Sequence, residues 1–146
     1  MWRRCWQLSK RLKSSRKSRR PVVLLDRCIP PGVGKALTHF DIEHRTLDDI
    51  YGHGVGQDIE DVRWIEDSAA EGLIALTQNF RIARVHHEAE AIRTFGARVL
   101  SYHRASLTKE AKALILGRHM QTVRRLHDHS GPAFWRVSPL NVLRDI

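Results

Sequence analysis

Pro21-Val22-Val23-Leu24-Leu25-Asp26 is an apolar run that stops abruptly at an acidic residue. A second run, residues 72–77, stops in the same way before the amide pair Gln78-Asn79. Short apolar runs that end at polar residues are typical of buried parallel strands. Because ligands of open α/β sheets bind at the carboxyl ends of the strands, the sequence predicts a ligand site near Asp26 and Asn79.

Strand-like and helix-like segments alternate along the chain, which predicts an α/β fold with a mainly parallel sheet. The predicted strands are 22–25, 42–46, 73–77 and 97–102, and residues 133–143 form a last edge strand or a packed tail. The predicted helices are about 30–40, 58–71, 85–95 and 109–127, with Leu114 on the apolar stripe of the fourth. Gly96 is expected to stop the third helix, and Thr108 to cap the fourth. Residues 47–56 contain three glycines and are predicted to form a mobile loop.

The formal charge of the 146-residue chain is +9, but the excess of basic residues lies at one end. Residues 1–20 hold nine Lys or Arg residues and no acid, whereas residues 21–146 hold 16 basic and 16 acidic residues. A chain of this length forms one domain with a real core more readily than two. We therefore predict a basic arm over residues 1–20 and one formally neutral domain over residues 21–146.

Three interpretations of the basic arm are open. The arm could be a disordered tail that binds phosphates electrostatically. Its arginine and serine content without acids is also typical of an organellar transit peptide. Alternatively, translation begins near Val22, and the arm is an artefact of the chosen start site.

The cysteine content and the hydropathy pattern favour a cytoplasmic protein. Cys5 and Cys28 are too few for a disulfide framework, and a reducing compartment fits them. No apolar stretch of the sequence approaches the roughly 18–20 residues that span a bilayer, so no membrane partner is expected.

An acid-rich stretch begins the second predicted helix. At about 100° per residue, Asp58 and Asp61 fall on or beside its apolar stripe, whereas Glu60 and Asp67 point away from it. Carboxylates that face a core are costly unless they are paired, hydrogen-bonded or bound to a metal. The alternative is that Asp58 is an N-cap and Asp61 a solvated first-turn acid. Asp61 is thus a candidate ligand for a hard divalent cation.

Three motifs, taken in their order along the chain, resemble those of a known family. They are Leu25-Asp26-Arg27, Asp61-x-x-Trp64-Ile65, and Ala75-Leu76-Thr77-Gln78-Asn79-Phe80-Arg81-Ile82. Over about residues 22–104 the chain is similar to the PIN-like domains, relatives of VapC-type toxin ribonucleases. The resemblance implies a PIN-like (Rossmann-like) three-layer α/β sandwich with a mainly parallel sheet. It also implies a group of acids that binds Mg²⁺ or Mn²⁺ and activates water against a phosphodiester.

The resemblance assigns roles to individual residues. Asp26 matches the first metal acid, and Asp61 matches the helix acid that precedes the tryptophan. Asp49, or with less support Asp48, stands where an acid commonly follows the second strand. Asn79 occupies a place where the family usually has Asp, so it would be an uncharged metal ligand that cannot act as a base. A catalytically degenerate domain is therefore a serious alternative.

Three arginines lie next to these positions. Arg27 follows Asp26, and Arg81 and Arg84 follow Asn79. Near a bound metal they could hold the backbone of a nucleic acid. The alternative for each of them is an ordinary surface ion pair.

The function that the sequence favours is a metal-dependent ribonuclease, a hydrolase that could be the toxin of a toxin–antitoxin pair. Its partners would be an RNA substrate and an antitoxin protein, and a homodimer is compatible with the sequence. The alternative is a non-catalytic PIN-like module that binds a protein or RNA. A Rossmann-like enzyme acting on a small molecule lacks a convincing cofactor motif, because the glycines at 32–34 and 52–56 fit no phosphate loop.

Removal of residues 1–20 is expected to leave the melting temperature of the protein unchanged. The arm has too few apolar residues to offset the entropy lost when a chain is ordered. Thermal unfolding of the full chain and of a chain that begins at Pro21, followed by circular dichroism, tests this prediction. A clear drop in the melting temperature of the shorter chain would show that the arm packs on the domain.

Overall fold

The computed structural model describes residues 20–146. Apart from Arg20, the basic arm lies outside the described residues, so its three interpretations stay predictions. Arg20 forms an ion pair with Asp41, with 3.1 Å between Nη1 and Oδ2, and both side chains are well exposed. Exposed pairs of this kind contribute little to stability.

The described residues contain one six-stranded sheet. Its strands are β1 (Val22–Leu25), β2 (Glu43–Thr46), β3 (Ile74–Thr77), β4 (Arg98–Tyr102), β5 (Ala133–Val137) and β6 (Val142–Arg144). They lie in the order β2-β1-β3-β4-β5-β6, in which the first five pair in parallel and β6 is antiparallel to β5. The predicted mainly parallel sheet is confirmed. The segment 133–143 supplies a parallel strand and most of an antiparallel edge strand.

Helices cover both faces of the sheet. They are α1 (Pro31–His39), α2 (Leu47–Tyr51), α3 (Asp61–Glu71), α4 (His86–Phe95), α5 (Lys109–Arg118) and α6 (Met120–Asp128). Apolar side chains of α1, α5 and α6 pack on one face of the sheet, and those of α3 and α4 pack on the other. The predicted three-layer α/β sandwich is therefore confirmed. The helices within residues 20–146 are all too short or too polar to cross a lipid bilayer.

Successive residues of β1 face opposite layers, as the period of a strand requires. Val23 and Leu25 belong to the core on the side of α1, whereas Leu24 belongs to the core on the side of α3. All three side chains are almost completely buried. Asp26 follows in the same alternation and lies on the side of α3, at the carboxyl end of the strand.

The prediction of a mobile loop over residues 47–56 is wrong at its beginning, where α2 forms. Thr46 Oγ1 accepts the backbone N–H of Asp49 at 3.1 Å, and Asp49 Oδ2 accepts the backbone N–H of Thr46 at 2.8 Å. This reciprocal capping box satisfies two donors at the start of the helix. The glycines follow only after Tyr51, and Gly56 packs so closely on Asp48 that a Cβ atom would lie 2.5 Å from Oδ1.

Helix α3 begins at Asp61, so the predicted start at residue 58 is wrong. Asp58 lies in a short 3₁₀ turn, Gly56–Asp58, and Glu60 occupies the N-cap position. Asp58 is therefore not the N-cap of this helix. Gly96 ends α4 in the left-handed conformation with a φ of 69°, as predicted.

The single helix predicted over 109–127 is two helices, α5 and α6, separated at His119. Thr108 caps α5 as predicted, since its side chain accepts the backbone N–H of Ala111 at 3.1 Å. His119 Nε2 lies 2.6 Å from the carbonyl oxygen of Ser138, in the connection between β5 and β6. This contact ties the helix break to the sheet edge. Leu114 is 59% exposed, so its place on the apolar stripe was also wrong.

Arg98 is a buried cation at the start of β4, at the end of the sheet opposite to the carboxyl ends of the parallel strands. It joins three elements there. Its Nη1 donates to the carbonyl oxygens of Leu126 at 3.2 Å and of His127, at the end of α6. Its Nη2 donates to the carbonyl oxygen of Gly72, which follows α3. Last-turn carbonyls have no partner within their own helix, and a guanidinium satisfies several of them at once.

Arg98→Met is expected to destabilise the protein by about 2–4 kcal/mol, since hydrogen bonds to a buried charge are strong and the carbonyls would lose their donor. Urea unfolding of both proteins measures the change. The exposed Arg93 on α4 provides a matched control, and Arg93→Met should change the free energy of unfolding little. Equal stability of the two variants would contradict the structural role of Arg98.

Candidate metal centre

Asp26 is a buried carboxylate at the end of β1, with 6% of its surface exposed. Its Oδ1 accepts the backbone N–H of Arg27 at 2.7 Å, and its Oδ2 accepts the hydroxyl of Thr77 at 2.8 Å. Burial raises the pKa of Asp26, these two hydrogen bonds lower it, and the charge of Asp61 raises it again. Asp26 is thus held in one position and lies within the field of a second carboxylate.

Thr77 connects the carboxyl ends of β1 and β3. Its hydroxyl donates to Asp26 and accepts the backbone N–H of Asn79 at 3.0 Å. The backbone N–H of Asp26 in turn donates to the carbonyl oxygen of Leu76 at 2.9 Å. The two strand ends predicted to form a ligand site therefore do lie side by side.

Asp61 lies in the first turn of α3, with its side chain 19% exposed. Its Oδ1 accepts the indole N–H of Trp64 at 2.9 Å, and Trp64 is buried in the core. Residues three apart share a helix face, which explains the spacing of the Asp61-x-x-Trp64 motif. The buried indole N–H needs an acceptor, and this acceptor fixes the carboxylate against the sheet. Asp61 is therefore not the freely solvated acid of the alternative interpretation.

Arg27 extends from the end of β1 to the start of α3. Its Nη2 donates to the carbonyl oxygen of Ile59, and its Nη1 lies 3.7 Å from Asp61 Oδ1. The Nε atom is buried and has no hydrogen-bond partner among the described residues. The guanidinium thus faces the acids, and the predicted contact of Arg27 with nucleic acid stays a prediction.

Glu88, in the first turn of α4, is a third acid that the sequence reasoning missed. Its carboxyl group is in hydrogen-bond contact with that of Asp61, and its side chain is 15% exposed. Burial raises the pKa of Glu88, and the charge of Asp61 raises it further. The available signal was an acid at the start of the helix that follows β3, but only the packing of α4 against α3 brings it to Asp61.

Asn79 and Asp49 have local roles in the structure. Asn79 is exposed, and its Oδ1 accepts the backbone N–H of Arg81 at 3.3 Å as the N-cap of the 3₁₀ turn Phe80–Ala83. Its connection to Asp26 runs through the Thr77 hydroxyl. Asp49 belongs to the capping box of α2, beside the edge strand β2. Asp48 accepts the backbone N–H groups of two glycines in the following loop.

Arg81 and Arg84 are exposed on the surface that follows β3. The guanidinium carbon of Arg84 lies 5.9 Å from the centre of the Phe80 ring. Neither arginine forms an ion pair within residues 20–146, and both side chains are exposed beside the strand ends. This placement suits contacts with phosphates.

The oxygen donors at this site fit a hard divalent cation. Among residues 20–146, no three His, Cys, Asp or Glu side chains form a ready-made metal cage. Mg²⁺ needs no such cage, because it keeps several waters and is commonly bound through one or two carboxylates. The charge of Asp61 raises the pKa of Asp26, and a cation would offset that repulsion.

Comparison with known proteins agrees with this geometry. A family model described as PIN like domain matches residues 21–104, which include β1 to β4 and both Asp26 and Asp61. No curated protein and no solved structure gives a significant match. PIN domains generally use divalent metals and belong to a nuclease-type superfamily. Because the match covers more than half of the sequence, the chain belongs to the PIN-like domain family.

Proposed function

We propose that the protein is a ribonuclease that depends on Mg²⁺ or Mn²⁺, held by Asp26 and Asp61. The observation that carries this proposal is a pair of ordered carboxylates from different elements that both contact Arg27, whose backbone N–H donates to Asp26 and whose guanidinium lies beside Asp61. Asp26 is oriented by Thr77, and Asp61 is oriented by Trp64. Carboxylate oxygens that are held in place before the ion binds favour a hard divalent cation over the single positive charge of a side chain.

The residues around the site would have different roles in phosphodiester hydrolysis. A bound divalent metal lowers the pKa of a coordinated water and stabilises charge on phosphate oxygens. Asp26 and Asp61 would hold that ion, and their hydrogen bonds keep them from turning away. Arg81 and Arg84 would bind flanking phosphates and place the RNA across the strand ends.

A second candidate, a non-catalytic module that binds RNA or a protein, is favoured by two observations. Asn79 brings no charge to the site, and Arg27 Nη1 lies 3.7 Å from Asp61 Oδ1, where it offsets part of the negative charge. Both features lower the attraction for a divalent cation. The two candidates differ in whether the purified protein binds Mn²⁺ and cleaves RNA.

A toxin role follows from the ribonuclease proposal and has its own test. Expression of an active toxin arrests the growth of its host, and the arrest should require Asp26. We propose RNA as the substrate and an antitoxin protein as the partner that restrains it. Growth that continues during expression of a cleaving enzyme would remove the toxin role and leave the ribonuclease.

Asp26→Asn is expected to abolish both Mn²⁺ binding and metal-dependent RNA cleavage, because it removes the charge best placed to anchor the ion. Mn²⁺ binding by electron paramagnetic resonance and cleavage of single-stranded RNA measure the two effects. Asp58→Asn, an exposed acid outside the site, is the matched control and should behave as the wild type. Absence of metal-dependent cleavage in the wild type, with unchanged metal binding in Asp26→Asn, would overturn the ribonuclease proposal.

Without metal, the stability of the wild type relative to Asp26→Asn is expected to fall as the pH rises from acid to neutral. Burial, with the charge of Asp61, raises the folded-state pKa of Asp26 above its ordinary value of 3.8, so the ionised form costs stability. This cost grows as the pH rises from 3.8 through the raised folded-state value, and it is absent at lower pH. Thermal unfolding in a metal chelator at several pH values measures the difference. A difference between the two melting temperatures that stays constant with pH, or changes in the opposite direction, would contradict it.

A further inference from the structure

Phe80 is a large aromatic residue that lies outside the cores of the protein. It begins the 3₁₀ turn Phe80–Ala83 after β3, and the residue is half-buried. Residues 20–146 contain two apolar cores, one on each face of the sheet, and Phe80 belongs to neither of them. Its ring contacts two guanidinium groups instead. The Cζ atoms of Arg84 and Arg136 each lie 5.9 Å from the ring centre.

The two arginines of this arginine–phenylalanine cluster are held differently. Arg136 lies on β5, and its Nε and Nη2 donate to the two carboxylate oxygens of Asp145 at 2.6 and 3.1 Å. A two-point ion pair of this kind fixes the plane of the guanidinium. Arg84 is exposed, and its side chain forms no ion pair and no hydrogen bond within residues 20–146. The guanidinium of Arg84 is therefore available to a ligand.

The register of the sheet places the cluster on the same row as Asp26. Thr77 pairs with Ser101, and Ser101 pairs with Arg136. The pairing of β1 with β3 continues the row to Asp26, which accepts the Thr77 hydroxyl. These side chains share the face of α3 and α4, because each follows a residue of that core by two positions. Three strand spacings separate Arg136 from Asp26, roughly 14 Å, a distance that a few nucleotides span.

An unpaired base fits between the ring and the free guanidinium. Bases stack on aromatic rings and on arginine planes. Two stacking steps of about 3.4 Å need roughly 7 Å between Phe80 and Arg84, slightly more than the 5.9 Å in the structure. The exposed Arg84 side chain can move by this difference. Its plane then covers the base, while its N–H groups remain free to donate to a phosphate.

The ring determines which form of RNA the cluster accepts. In a duplex the faces of each base are covered by the neighbouring base pairs, so an aromatic side chain cannot stack on them. Exposed arginines alone would bind single and double strands through their phosphates. An aromatic ring beside them adds stacking on unpaired bases, with little preference for sequence.

We propose that Phe80 and Arg84 form a base-stacking subsite for single-stranded RNA, with Arg136 as its fixed neighbour. The inference rests on the proposed function, because it takes RNA as the substrate. It names the form of RNA that is bound and the residues that recognise it. The subsite holds one unpaired base and directs the adjoining strand towards Asp26.

Phe80→Leu, which removes the ring and keeps an apolar side chain, tests the subsite. In a metal chelator, which prevents metal-dependent cleavage, the Kd for a short single-stranded RNA is expected to rise about 5- to 100-fold, as for the loss of one base–aromatic stack. Phe80→Trp should keep the affinity. Phe95→Leu is the matched control, because Phe95 is 42% exposed at the far end of α4. Fluorescence anisotropy of labelled RNA measures Kd, and residues 1–20 are present in every protein compared.

Two further measurements separate stacking from charge and from folding. A ribose-phosphate oligomer without bases should bind the wild type and Phe80→Leu equally, because it offers nothing to stack. Arg84→Lys keeps the charge and removes the plane, and its exposed position does not threaten the fold. This variant should weaken binding of the RNA with bases more than binding of the oligomer without them. Arg93→Lys, at an exposed position on α4, should change neither.

Three results would overturn the subsite. They are equal affinity of the wild type and Phe80→Leu for single-stranded RNA, an equal loss for the oligomer without bases, and a wild type that binds no single-stranded RNA. Failure of the proposed function is seen separately, in Mn²⁺ binding and cleavage. If Asp26→Asn loses both and Phe80→Leu binds RNA as the wild type does, the ribonuclease stands without the subsite. If Phe80→Leu loses RNA binding and the wild type neither binds Mn²⁺ nor cleaves RNA, the subsite stands in a non-catalytic module.

Discussion

The hydrogen bond from the Thr77 hydroxyl to Asp26 Oδ2 is the interaction on which the site depends. A carboxylate buried in an apolar surrounding is stable only when its oxygens have donors. Thr77 supplies one donor, and the backbone N–H of Arg27 supplies the other. Because the same hydroxyl accepts the N–H of Asn79, it also aligns the ends of two neighbouring parallel strands. The fold and the site therefore depend on the same contact. The register of β1 against β3 places the Thr77 hydroxyl, and the hydrogen bond from that hydroxyl stabilises the Asp26 carboxylate.

The second constraint comes from the helix layer on the same side of the sheet. The first turn of α3 brings Asp61 near the end of β1, where Arg27 faces it and also donates to the carbonyl oxygen of Ile59. Like charges gathered in this way oppose folding, although helix N-termini soften the cost. Sites that bind cations commonly carry such a cost, since the geometry that suits the ion is strained without it. Arg98, a buried cation at the other end of the sheet, shows the opposite arrangement, because its guanidinium N–H groups donate to carbonyl oxygens.

The elements that the sequence predicted well are those set by local pattern. The apolar runs correctly predicted β1 and β3. The spacing of Asp61 and Trp64 correctly indicated a carboxylate that is turned towards the core. The wrong predictions concern segments whose secondary structure depends on one specific contact. Glycines suggested a loop, but a capping box at Thr46 begins α2. The helix break at His119 lies where its ring contacts the distant carbonyl oxygen of Ser138. Glu88 could not be found from spacing, because its neighbour Asp61 lies on another helix and only tertiary packing brings them together.

Metal affinity depends on the total charge near the ion and on the stiffness of its ligands, and not on which element supplies each carboxylate. In this fold Asp26 follows β1 and Asp61 begins α3, and both lie beside Arg27. Arg27 acts against that total, since its guanidinium faces the same carboxylates while it holds the start of α3 in place. The affinity of the proposed site thus depends on the balance between the two acids, Asp26 and Asp61, and the one anchored cation, Arg27. An Asn at position 79 alone therefore does not decide whether the domain is degenerate.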